Sequence, residues 1–216
     1  MKKTIHLLLF IFLFANCTKT SFKESQIMST NGDAVSLNVG VNNNVNAKLT
    51  SPTITTPQFI LYTIFKGQHS CDKSVLKPVK LSQMSFVAKF DSSAIYQTVN
   101  PVNQYDINKL YGFSEGFNHQ YNSARIGWAW NDGALRLYAY AYNKGVRNSQ
   151  EITTVTIGSE ISCSISLSGY TYIFTVNGVS VSLPRATSTL TASGYQLYPY
   201  FGGDEVAPQN IFISIK

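Results

Sequence analysis

His119, Arg125 and Tyr138 lie within about twenty residues of one another, and together they are the residue types that cleave an acidic glycan by β-elimination. A cation neutralises the uronate carboxylate and so acidifies the C5 proton, a base removes that proton, and an acid protonates the departing oxygen. Arg125 is the candidate cation, His119 the base and Tyr138 the acid. Residue types alone do not choose a role: an arginine also clamps carbonyls or ion pairs, and a histidine in a loop is often only solvated. A second set lies in the run ALRLYAYAY. Successive strand side chains point to opposite faces, so Arg136, Tyr138, Tyr140 and Tyr142 share one face, and Leu135, Leu137, Ala139 and Ala141 share the other. Tyrosine rings stack on the apolar faces of pyranoses while their hydroxyls reach polar neighbours. Arg125, Arg136, Tyr138, Tyr140 and Tyr142 therefore form the candidate glycan-binding set. Aromatic alternation also fills the core of any large sheet, which is the competing reading of the same tyrosines.

Other chemistries find less support. A retaining glycosidase needs two carboxylates about 5 Å apart, whereas the chain has eleven acidic residues and no E-x-D-x-E run. The one adjacent pair, Asp204-Glu205, sits in a loop between Gly202-Gly203 and Ala207-Pro208. It is a candidate ligand pair for a structural Ca²⁺ ion or simply a solvated turn, and no other cofactor is expected. Cys71 and Cys163 have no flanking histidine and supply too few ligands for a metal cluster. A disulfide between them would close a loop of roughly 90 residues, worth about 4 kcal/mol in the chain-entropy model. The alternative is two separate buried thiols.

The amino terminus reads as an export signal. Lys2 and Lys3 precede an apolar run from Leu7 to Ala15, too short to span a bilayer, which needs about 20 residues. Phe14-Ala15-Asn16-Cys17 resembles the lipobox of bacterial lipoproteins, which implies cleavage after residue 16, acylation of Cys17, and a lipid anchor in the cell envelope, with the outer membrane as the expected site. Removing the two signal lysines lowers the formal charge from +6 to +4 (6 − 2). The remaining cations are scattered, so nucleic acid is not an expected partner, while an acidic polysaccharide is favoured over a neutral one.

Residues 17–57 are rich in Ser, Thr and Asn and poor in large apolar residues, as suits a flexible tether, although AVSLNVGV within them alternates like a half-buried strand. From residue 58 to 216, aromatics become frequent and Gly and Asn punctuate at short intervals. No helical apolar period is sustained. Ten candidate strands there predict one all-β, two-sheet antiparallel sandwich. Asn177-Gly178 and Asp132-Gly133 predict tight hairpins, because both pairs tolerate positive φ.

The succession ALRLYAYAYNKG, VTIG, SCSISLSGYTYIFTVNGVSV and GYQLYPYFGGDEVAPQNIFISIK resembles the back half of a concanavalin A-like jelly roll of the laminin G type. DINKLYGFSEG, NSARIGWAW and LYPYFGGDEVAP resemble runs in uncharacterised lipoproteins of Bacteroidetes-type bacteria, which implies an envelope location and no established reaction. The R-x-E-L-R and Q-I-H runs of alginate-lyase-like families are absent. The expectation is therefore an envelope lipoprotein whose sandwich binds a glycan without cleaving it. A polysaccharide lyase is the alternative, and a structural envelope protein the third reading.

Overall fold

A computed structural model describes residues 57–216. Cys17, the export signal, AVSLNVGV and nearly all of the tether lie outside the described residues. Two six-stranded antiparallel sheets face each other. The back sheet, in spatial order, is β1 (Ile60–Ile64), β12 (Ile211–Ile215), β3 (Gln83–Phe90), β8 (Ile161–Ser168), β9 (Thr171–Val176) and β10 (Val179–Pro184). The front sheet is β2 (Pro78–Leu81), β11 (Ala192–Leu197), β4 (Asn108–Ser114), β5 (Asn122–Asn131), β6 (Ala134–Asn143) and β7 (Val146–Val155). The all-β sandwich expected from the sequence is the observed fold. Among the described residues no helix is long and apolar enough to cross a membrane.

Alternation builds the core. Leu135, Leu137, Ala139 and Ala141 of β6 point inward and are at most 1% exposed. They meet Phe113, Ile126 and Trp128 of the same sheet, with Ile161, Ile165 and Phe174 coming from the back sheet. Trp128 sits at the centre, its ring 5.2 Å from that of Phe90 and 5.7 Å from that of Tyr96. Both expected hairpins form. Asp132 and Gly133 have φ of 49° and 72°, and Asn177 and Gly178 have 46° and 87°, as a two-residue type I′ turn requires.

Two strands escape the sequence pattern. β2 is a four-residue edge strand that opens on Pro78, which lacks the N–H a central strand would need. β4 is a central strand, but a bulge between Lys109 and Tyr111 breaks its alternation and hides it.

The disulfide between Cys71 and Cys163 does not form: among the described residues both are unpaired, buried thiols. Cys71 bridges Ile64 at the outer side of β1, and Cys163 lies on β8, with β1, β12 and β3 between them. Four strand spacings of about 4.8 Å separate the two chain segments, far more than the roughly 7 Å between Cα atoms that a disulfide spans. Burial pushes both thiols up, Cys163 to about 12, so neither is a ready thiolate.

Candidate functional site

The outer face of the front sheet carries a groove of about 690 Å³. Its floor follows from strand register. Arg125 on β5 pairs with Gly112 on β4 and with Tyr140 on β6, and Ser123 pairs with Tyr142. Gly112 leaves no room for a side chain, since a Cβ there would collide with the Ala124 carbonyl. The bulge in β4 then turns Lys109 onto this same outer face, three residues from Gly112, where strict alternation would have put it on the other. The Lys109 ammonium lies 5.2 Å from the centre of the Tyr140 ring and 5.8 Å from that of Tyr200, and it donates a hydrogen bond to the Gly202 carbonyl at 2.9 Å.

Two loops form the walls. The loop between β4 and β5 brings His119 and Gln120, and the segment before β2 brings Ser74, Val75 and Leu76. Tyr195 of β11 stands against the first loop: its hydroxyl and the His119 Nδ1 share a hydrogen bond of 2.8 Å. Tyr200, held between Lys109 and Ser70 by backbone bridges, stacks on His69 at 5.2 Å with rings 9° from parallel.

The groove is electropositive. Arg125 is 6% exposed and its Nε has no hydrogen-bond partner among the described residues. Burial pulls the Arg125 guanidinium below its ordinary range. Burial, reinforced by the Arg125 charge, lowers Lys109 to about 8 and draws His119 below its usual value, so the imidazole is neutral at pH 7. Burial, then the neighbouring Tyr142, raises Tyr140 to about 12. Among the described residues no Asp or Glu lines the groove. A carbohydrate here would meet cations, an imidazole and phenols, which is chemistry suited to an anionic chain and not to two-carboxylate glycoside hydrolysis.

The sequence-derived candidates divide. Arg125, Tyr140, Tyr142 and His119 are brought together in the groove. Tyr140 is only 3% exposed, yet it lies outside the core between the sheets, covered by its groove neighbours. Arg136 and Tyr138 share the outer face as parity predicted, but both lie beyond the groove. Ile107 sits over Gly127, the partner of Tyr138, and closes that end of the sheet. Arg136 instead pairs with Glu151 at 3.1 Å and Asp132 at 3.7 Å. Tyr195, and not Tyr138, is the tyrosine placed beside His119. The Glu205 carboxylate accepts from the Val99 and Asn100 backbone amides at 2.8 and 2.7 Å and from the Asn103 side chain at 2.9 Å. No cluster of three or more metal-ligating side chains occurs among the described residues.

Lys109, Tyr195 and Tyr200 were not singled out in the sequence. Tyr195 and Tyr200 lie in a run, YQLYPYF, whose aromatic density was the available signal. Lys109 left none, because the bulge that aims it also erases its parity.

No family model and no curated protein matches the chain. Solved structures do. An alginate lyase, AlyC3, superposes with a TM-score of 0.51 at 11% identity, covering 73% of this chain and 72% of its own. The domain is a concanavalin A-like jelly roll. The marine PL7 alginate lyase AlyA1 from Zobellia galactanivorans matches at 0.44 and 13% identity over 73% of this chain and 62% of that one. A toad ovary galectin in complex with thio-digalactose matches at 0.31 and 11% identity over 74% and 92%. At 11% identity the likeness to AlyC3 shows the fold alone.

Proposed function

We propose that the groove binds an acidic polysaccharide and cleaves it by β-elimination. The observation that carries this reading is the convergence of Arg125, buried and with Nε unpartnered among the described residues, on the hydrogen-bonded His119 and Tyr195. Arg125 would hold the uronate carboxylate and stabilise the charge that develops when C5 loses its proton. Neutral His119 would take that proton as the C4–O4 bond breaks and the C4=C5 double bond forms. Tyr195 would give its proton to the departing O4 and recover one through His119. Lys109, Tyr140 and Tyr142 would hold neighbouring sugars. The test is direct: purified protein incubated with polyuronates should generate the ultraviolet absorbance of an unsaturated uronate, and His119→Ala should abolish it. Fully intact polymer across a panel of acidic glycans would overturn the reading.

Binding without cleavage is the second reading, favoured by the aromatic floor of Tyr140 and Tyr142, whose rings lie 5.9 Å apart. It expects calorimetric binding of a glycan that stays chemically intact. The export signal and Cys17 support a location on the bacterial envelope, with a lipid anchor as the membrane partner. Cys17→Ser should move the protein from the membrane fraction to the soluble one. Continued membrane association would remove the anchor.

A further inference from the structure

The loop that carries His119 is held from beneath by groups that touch neither the groove nor any sugar it could hold. Ser123, fully buried at the start of β5, donates from its Oγ to the His119 carbonyl at 2.6 Å. At the loop's other end Glu115 leaves β4 and turns away from the groove. Its carboxylate takes a two-pronged contact from Arg185, Nε to Oε1 at 2.7 Å and Nη2 to Oε2 at 2.9 Å. Tyr172 donates to the same carboxylate. The Arg185 side chain is fully buried, and it is locked by further bonds to the Thr189 carbonyl and hydroxyl at 2.6 and 2.8 Å. Arg185 follows β10 of the back sheet, so the pair ties the His119 loop to the opposite layer of the sandwich.

The backbone between these two anchors is short and bonded at several points. The Glu115 amide donates to the Asn122 carbonyl at 2.9 Å and closes the base of the loop, and the Gly116 amide donates to Ser193 of β11 at 2.8 Å. Ser114 Oγ donates to the Gly116 carbonyl at 2.9 Å. Gly116 is thus fixed on both its polar atoms, and β11, the strand that carries Tyr195, is one of the supports. A loop with this many fixed points has little freedom left for the imidazole. Buried Arg-carboxylate pairs are weak sources of net stability, because desolvation offsets attraction. A bidentate pair is, however, geometrically exacting, and that makes it suited to fixing a position.

We propose that Ser123, Glu115 and Arg185 are positioning residues that hold His119 at hydrogen-bonding distance from Tyr195. The inference rests on the elimination reading for its kinetic consequence and on structure alone for its spectroscopic one. Full-length protein labelled with ¹⁵N-histidine, with His119→Gln to assign the ring, is titrated across neutral and mildly acidic pH as wild type, Ser123→Ala, Glu115→Gln and Arg185→Lys.

Ser123→Ala removes a single hydroxyl and tests the proposal even if an ion-pair variant fails to fold. In each folded variant, His119 should titrate at a higher pH than in wild type, because a freed imidazole regains water, and its ring should lose the signature of the Tyr195 bond. On polyuronate, kcat should fall about tenfold or more, since misplacement by about 1 Å can cost on the order of 10²-fold. KM should stay within about twofold, because Arg125, Lys109 and Tyr140 are untouched. Folded variants whose His119 titration and kcat both match wild type overturn the proposal. If wild type yields no unsaturated product, the elimination reading falls, and the ring titration still decides whether these residues position His119.

Discussion

The two outer faces of the sandwich obey the same alternation and carry opposite chemistry. Across the front sheet one register row reads Gly112, Arg125, Tyr140 and Ser149. Across the back sheet an equivalent row reads Ser85, Ser164, Thr175 and Ser180. The back row is small and hydroxylic, with Thr175 and Ser180 bonding each other at 2.8 Å. The trough over it, about 550 Å³, has Lys216 as its one lining cation among the described residues, and Lys216 is committed to Glu160 at 3.0 Å. A pleated sheet therefore supplies a flat outer face by default. A binding face needs three additions that alternation does not provide: large rings, cations left without carboxylates, and loops that raise walls.

Arg125 should separate the faces most sharply. Arg125→Met keeps the volume and removes the charge. Because Nε lacks a partner among the described residues and burial disfavours the cation, the melting temperature should hold or rise. Loss of a preorganised charge contact should cost about 3 kcal/mol in kcat/KM on an acidic glycan, roughly two orders of magnitude. Cleavage at the wild-type rate would show that the groove floor is not where the carboxylate lies.

A pair of substitutions on the two sides of β6 comes next. Leu137→Ala opens the core and should lower stability by about 2 to 5 kcal/mol without altering which ligand is bound. Tyr140→Ala should weaken glycan affinity by about 1 to 3 kcal/mol, the range for a central aromatic anchor, and cost less stability than its core counterpart. Thermal melts and calorimetry on both variants measure the contrast. If Tyr140→Ala proves the more destabilising, the tyrosine side of β6 is structural.

These experiments also mark what was legible in the letters. The inside-outside split of ALRLYAYAY was readable because nothing interrupts its alternation, and Arg125 followed because β5 is equally regular. Tyr138 and Arg136 share that face but lie farther along the strand than the groove lining. Parity fixes a face but not how far a groove extends, and here Ile107, from a loop remote in pattern, ends it. The His119–Tyr195 pairing depends on β11 lying beside β4, a long-range neighbour relation that no local period encodes. Lys109 was hidden by the bulge, the one feature that re-aims a side chain while destroying its own signal.

Lys109 gives a smaller, pH-dependent effect. Held at about 8 by burial and Arg125, it is charged below that pH and neutral above it. Affinity for an acidic glycan should therefore decline about tenfold as pH rises through about 8, with the midpoint moved upward when the bound anion favours the ammonium. Folding has the opposite sign. The folded state favours neutral lysine relative to the unfolded chain, so this contribution to stability grows as pH rises from about 8 toward the ordinary lysine value of about 10.4. Weaker binding above pH 8 with an undiminished melting temperature would therefore come from the groove. Lys109→Arg, charged throughout, should flatten the affinity profile, and a profile unchanged by that substitution would assign the pH dependence elsewhere.

The smallest expected effect lies on the back sheet. Ser164→Val swaps a half-buried hydroxyl in the middle of the flat row for a β-branched residue that strands accept readily. Stability should move by less than about 0.5 kcal/mol, as for most surface substitutions. Glycan affinity should not move, because β8 contributes no residue to the front groove. Titrating the same oligosaccharide into Ser164→Val and wild type makes the comparison. A fall in affinity would mean that the hydroxyl-lined trough also takes sugar, and the contrast between the faces would become one between two binding surfaces of different depth.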